Sequence, residues 1–195
     1  MSRDRFSANP RLLLALVRNP SAALALRGAE DLPLGLIGAA ASVAGFYIWV
    51  LAVQNRVEHA MSFFSVLFVS RLFSAGLALK LLLLGLLSLL ALTASLSAVG
   101  NRLGRRKRAW IEIVTYQGSS QLLFGAGYLV SALAAFLSVR LSLALTGGLL
   151  LLSLLVLVIH ALELHEVERK DSFAAVLLSI AGYVVLFSIG WLLLF

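Results

Sequence analysis

Cysteine is absent from the 195-residue chain, which excludes disulfides, thiol nucleophiles and cysteine-based metal sites. Charge is scarce: only 13% of residues are charged, where a soluble domain carries about 25%. Reaction motifs are missing too. There is no phosphate-cradling glycine loop, no GxSxG elbow, no HExxH and no acid pair within an apolar run, so the sequence offers no constellation for catalysis. Nor does a secretory signal peptide open it. The first apolar run begins near residue 33, behind a charged and proline-punctuated segment, and is expected to remain as an anchor.

What the chain has in abundance is hydrocarbon, at 61% hydrophobic residues and a mean hydropathy of +1.00. Apolar runs long enough to cross ~30 Å of lipid as helices recur along it. A barrel would need short segments of alternating polarity, and these runs are continuous. The expected fold is an all-α, polytopic membrane helical bundle with five transmembrane helices over 33–53, 75–99, 111–138, 141–161 and 173–195. Residues 1–32 form a leader with short surface helices. Residues 61–76, MSFFSVLFVSRLFSAG, are expected to make an interfacial or re-entrant helix on the outer face; reading them as a sixth span would put RLGRRKR outside, against the charge rule.

Net charge is +7, and topology accounts for it. Arg3, Arg5, Arg11, Arg18, Arg27, the run Arg102, Arg105, Arg106, Lys107 and Arg108, and Arg169 with Lys170 fall on one side of the five spans. Arg56, Arg71, Lys80 and Arg140 fall on the other. Cytoplasmic connections collect the positive residues, so the N-terminus is expected inside and the C-terminus outside. RLGRRKR lacks interleaved aromatics for base stacking, and no nucleic-acid partner is expected. Arg102, Arg105, Arg106, Lys107 and Arg108 are instead assigned to anionic lipid headgroups, each worth ~1 kcal/mol near the surface.

In the leader, NPRLLLALVR is followed by NPSAALALRG. Asn9 and Asn19 suit N-caps and Pro10 and Pro20 the first helical position. Two short helices on the inner membrane surface are expected, with leucines in the acyl boundary; a partner-docking arm is the rival reading.

The third run is interrupted by TYQGSSQLLFGAGY, residues 115–128. On one continuous helix, Gln117, Gln121 and Tyr128 share a face, with Gly125 close by. The stripe is read as helix-packing glue. Its rival is the lining of a solute or ion path, for which no mid-depth charge is available as a coupling group. Gly38 with Ser42, and Ala41 with Gly45, repeat a small-xxx-small spacing in the first run. At the inner boundary HALELHEVERKD offers His160 with Glu163 and His165 with Glu168 at helical spacing. A divalent-metal site from these pairs is conceivable, but the two pairs point in different directions, and acids facing the basic loop are the preferred reading. Glu112, one turn inside the third run, can pair with Arg108. No metal or cofactor is expected.

VGNRLGRRKRAWIEIVTYQGSSQLL resembles the glycine-basic-aromatic loop and third span of the YIP family, a Ypt/Rab-interacting-protein-like five-span membrane domain. LLLLSLLVLVIHALELHEVERKDSFAAVLL is similar to that family's fourth span, charged hairpin and fifth span, and NPSAALAL to its proline-bearing entry segment. Family members often carry a proline where this chain has QGSSQ. The resemblance implies a five-span membrane domain, whose eukaryotic relatives are implicated in vesicle trafficking. Only residues 1–32 precede the first span, so the GTPase contact of eukaryotic relatives is not carried over, and no functional residue transfers. The short, Ala/Leu/Arg-rich, cysteine-free chain fits a prokaryotic cytoplasmic membrane. The expected function is a non-enzymatic scaffold or accessory subunit, contacting lipid and other membrane proteins or itself. A small-solute or ion transporter is the alternative, and lipid handling a third reading.

Overall fold

A computed structural model of the chain describes residues 10–60 and 75–194. The expected outer-face helix, except for its last residues, lies outside the described residues. The described elements are helical: α1 (Pro10–Arg18), two 3-10 turns (Pro20–Ala25 and Gly28–Asp31), α2 (Leu32–Ala60), α3 (Ala75–Leu103), α4 (Trp110–Ser120), α5 (Leu122–Leu137), α6 (Val139–Leu164) and α7 (Arg169–Leu194). Five helical stretches, with α4 and α5 together as the third, are long and apolar enough to cross a membrane. The protein is an all-α bundle of the multi-pass membrane type.

Its centre is the pairing of α2 with α4 and α5. Glycine permits the approach. A β-carbon on Gly35 would lie 2.6 Å from the Val114 carbonyl oxygen, one on Gly45 2.5 Å from that of Gly125, and one on Gly125 2.6 Å from the Ala41 carbonyl carbon. At Gly38 the same atom would collide with the Gly118 carbonyl, and at Gly118 with that of Gly35. Lipid supplies no hydrophobic drive between helices, so close backbone packing has to hold them. α6 returns along α5 after a turn at Ser138, whose hydroxyl accepts from the Leu141 amide. α7 packs chiefly on α3.

The third span is not the single straight helix expected over 111–138. α4 and α5 meet at Gln121, which sits in a turn. Thr115, Ser119 and Ser120 donate their hydroxyls back to the carbonyls of Ile111, Thr115 and Gln117, at 2.9, 2.6 and 2.7 Å. Such back-bonds compete with the backbone ladder and bend helices. The break is made by hydroxyls, without a proline.

The leader also departs from expectation. Its second element is a 3-10 turn capped by Asn19, whose side chain accepts from the Ser21 amide at 3.0 Å. Its apolar residues do not all face lipid: Leu16, Ala23 and Leu26 bury against Leu34, Ile113, Tyr116 and Leu164, while Leu14 stays exposed. Gly28, at φ 62°, turns the chain over Glu112 and Tyr116, and the Tyr116 hydroxyl donates to the Leu26 carbonyl at 3.2 Å. Ile113, Tyr116 and Leu164 offer the leader a protein surface that competes with the bilayer for its leucines.

The helix seam yields a direct test. Gly38→Val forces a branched side chain into the Gly118 carbonyl and is expected to cost about 1–3 kcal/mol, read as unfolding of the detergent-solubilised protein. Gly147→Ala, where a β-carbon meets nothing within 4 Å, is expected to be neutral or to stabilise by up to about 1 kcal/mol through helix propensity.

Candidate functional site

Interior polar side chains cluster where α4 breaks into α5. Gln121 is 1% exposed; its Oε1 accepts from Ser153 at 3.0 Å and Ser42 at 3.4 Å, tying α2 and α6 to the break. Its Nε2 has no partner. Gln117, also buried, has neither amide atom partnered. Tyr128 packs edge-on against Phe46, ring centroids 5.6 Å apart. A second cross-helix relay lies nearer the other end: Trp49 Nε1 donates to Ser142 at 2.8 Å, and Ser142 to the Ser131 carbonyl at 2.6 Å.

Gln121 and Tyr128 share the wall of a cavity of about 490 Å³ between α2, α3, α5, α6 and α7. Gln117 is not on that wall. The expected three-residue stripe is thus divided, because the turn at Gln121 changes the angular register between α4 and α5. Sequence reading missed Ser88, Ser153 and Tyr183, which also line the cavity; Ser88 and Tyr183 bond each other at 2.9 Å across α3 and α7. The available signal was the isolated Ser153 in the leucine run of α6; Ser88 and Tyr183 are each one of several hydroxyls on their helices. Amides and hydroxyls can orient a neutral ligand or hold helices together. They supply no general acid or base at neutral pH.

The inner end is a clamp between the 104–109 connection and the turn after α6. Arg105 donates through Nε and Nη2 to Glu168 Oε1 at 2.9 and 2.7 Å, and Lys170 reaches the other oxygen at 3.0 Å. These cations hold the Glu168 carboxyl below its usual range, Lys170 most strongly. Arg106 sits 3.5 Å from Glu166. Arg108 lies 3.0 Å from Glu112, donates to the Leu164 carbonyl at 3.3 Å and stacks over Tyr116. Arg102 and Lys107 are exposed. Of the five cations assigned to headgroups, Arg105 and Arg106 therefore face acids and Arg108 turns inward.

α6 ends in a Schellman motif: the Val167 amide bonds Leu162 O at 3.0 Å and the Glu166 amide bonds Glu163 O at 3.1 Å. Glu166 takes the left-handed position at φ 51°, where glycine is usual. The reversal drives the His165 ring onto Gly100, where a β-carbon would overlap it. His165 Nδ1 meets the Arg106 carbonyl at 3.1 Å, while Glu168 is held by Arg105 and Lys170. His160 Nε2 lies 3.5 Å from the Ser21 hydroxyl. Among the described residues no three His, Cys, Asp or Glu side chains gather as metal ligands.

Comparison with protein-family models, curated proteins and solved structures finds no match to the chain.

Burial, outweighing the bond to Arg106, pushes the His165 pKa below its ordinary 6.5, and the nearby Arg108 lowers it further. The unfolded hairpin takes up a proton near that ordinary value while the folded one resists, so stability is present above 6.5 and declines below it. Protection factors of the amides in 100–108 and 165–168, corrected for the intrinsic pH dependence of exchange, are expected to fall from about pH 7.5 to about pH 5.5. His165→Asn keeps a donor for Arg106 but cannot titrate, and should flatten that profile; an unchanged profile refutes the assignment.

Proposed function

We propose that this protein is a non-enzymatic accessory subunit or scaffold of a prokaryotic cytoplasmic-membrane assembly, of the YIP type, with its N-terminus inside and C-terminus outside. The observation carrying this reading is the fifth span. Only 11% of its apolar window is buried, and it is fastened mainly to α3, through Ser95 donating to the Ser179 carbonyl at 2.7 Å and through the Ser88–Tyr183 bond. On its exposed side Ala174, Ala181 and Ser188 recur every seven residues between Leu177, Leu178, Val184 and Val185. Small residues at that spacing let another helix approach closely. Lipid alone asks for no such spacing.

The charge distribution supports the orientation. Arg27, the cationic run 102–108, Arg169 and Lys170 gather at the end of the bundle where the leader docks, and Arg56, Lys80 and Arg140 lie toward the other. Ser42 and Ser153 on Gln121, Trp49 on Ser142 and Ser88 on Tyr183 bond across helices, and the charged residues and histidines of the described spans lie near their ends, which supports a structural role over coupled transport. The solute-path alternative asks for a continuous polar lining, whereas Gln117 is off the cavity wall.

The cysteine-free chain makes the test free of background. Single cysteines at Ala181 and Ser188 are expected to crosslink in native membranes to a second protein or another copy, and one at Leu151 on α6 much less. No adduct from the α7 positions, with unaltered complexes in a deletion strain, would remove the proposal.

A further inference from the structure

We propose that the cavity beside Gln121 binds an uncharged, lipid-soluble molecule bearing a carbonyl oxygen, and that the Gln121 amide is its hydrogen-bond donor. The inference is independent of the accessory role.

Three observations carry it. The first is the orphaned donor. Two hydroxyls occupy Gln121 Oε1 and so fix the amide, while Nε2 remains without a partner on a side chain that is 1% exposed and forms part of the cavity wall. A buried donor is costly to leave unmet, and more so away from water. Nε2 presents almost no accessible surface to the cavity, so an acceptor oxygen would satisfy it as the wall shifts around the ligand.

The second is Gly85. The seam glycines lie under backbone atoms, but a β-carbon on Gly85 would meet only the Phe46 ring, at 3.6 Å, an ordinary contact. Helix packing does not require glycine there. Gly85 lines the cavity, and its missing side chain keeps that volume open at a cost in helix propensity. The third observation is the opening. Leu151 lines the cavity and is 70% exposed, so beside α6 the wall reaches the outer surface of the bundle, which for a spanning helix faces lipid.

The wall also defines the occupant. At about 490 Å³ the space is of small-molecule size. Leu84, Leu92, Leu157 and Phe187 give it apolar faces, and among the described residues that line it there is no Asp, Glu, Lys, Arg or His. An ion would go uncompensated, and the hydroxyls of Ser42, Ser153, Ser88 and Tyr183 are already engaged with Gln121 Oε1 or with one another, which weakens their hold on water. An apolar body with one acceptor fits. That chemistry has two sources: the ester of a bilayer lipid, or the ketone of a free lipid-soluble molecule such as a prenylated quinone.

The test uses the full chain in nanodiscs, with methyl palmitate, hexadecane and a prenyl benzoquinone as probes, read by thermal shift and native mass spectrometry. The wild type is expected to bind methyl palmitate about tenfold more tightly than hexadecane, as one buried hydrogen bond implies. Gln121→Leu should cancel that preference while hexadecane still binds. Gly85→Leu, whose β-carbon meets only the Phe46 ring, takes up part of the space and should weaken binding of every probe and raise the melting temperature; it carries the test if Gln121→Leu fails to fold. A phospholipid retained one per chain and displaced by methyl palmitate identifies the bilayer ester, whereas binding of the quinone with no retained phospholipid identifies the free ketone. Equal binding of ester and hydrocarbon, undiminished binding in Gly85→Leu, or no bound probe overturns the proposal.

Discussion

Backbone-to-backbone contact between α2 and the broken helix α4–α5 is the constraint on which the rest of the bundle depends. With Gly35, Gly38 and Gly45 set against Val114, Gly118 and Gly125, two helices touch without side chains between them. In hydrocarbon this is among the few ways to gain more dispersion energy than lipid tails already offer. The seam also fixes the rotation of α4 and α5 about their axes. That rotation presents Tyr116 and Ile113 to the leader and aims Gln121 at Ser42 and Ser153.

The break at Gln121 converts a packing device into a feature with chemical consequence. Hydroxyls of Thr115, Ser119 and Ser120 satisfy themselves on their own helix, so they hold no neighbour. The amide beyond the break does the holding, and only through its oxygen. One half of Gln121 is structural and the other half is without a partner. The division lies within a single side chain, and the cavity beside it is widened where Gly85 has no side chain.

At the inner end electrostatics and shape act together. Arg108 anchors the start of α4 through Glu112, the Leu164 carbonyl and the Tyr116 ring, and the buried His165 ring locks the cationic connection against Gly100. The leader covers the same region. Three segments distant in sequence therefore share one end, where the exposed pairs Arg105–Glu168 and Arg106–Glu166 add little individually in water but keep the two connections in register.

The sequence by itself determined the solvent and the rods. Runs long enough for ~30 Å of hydrocarbon can only be helices there, since each backbone group must bond within its own segment. It also determined what is local: the Asn19 cap and the Arg108–Glu112 pair depend on residues two and four apart. Tertiary structure alone decided the rest. A continuous 3.6-residue period placed Gln117 with Gln121, but a turn of a few hydroxyl back-bonds separated them, and no apolar count records that angle. The leader's leucines could satisfy themselves in lipid or on protein equally well by hydropathy, and only the presence of Ile113 and Leu164 at the right place settled it. The cavity is the clearest case, being defined by side chains from five helices and by the one at Gly85 that is missing. Such a space has no pattern along a chain, because its walls meet only after the helices have chosen their partners.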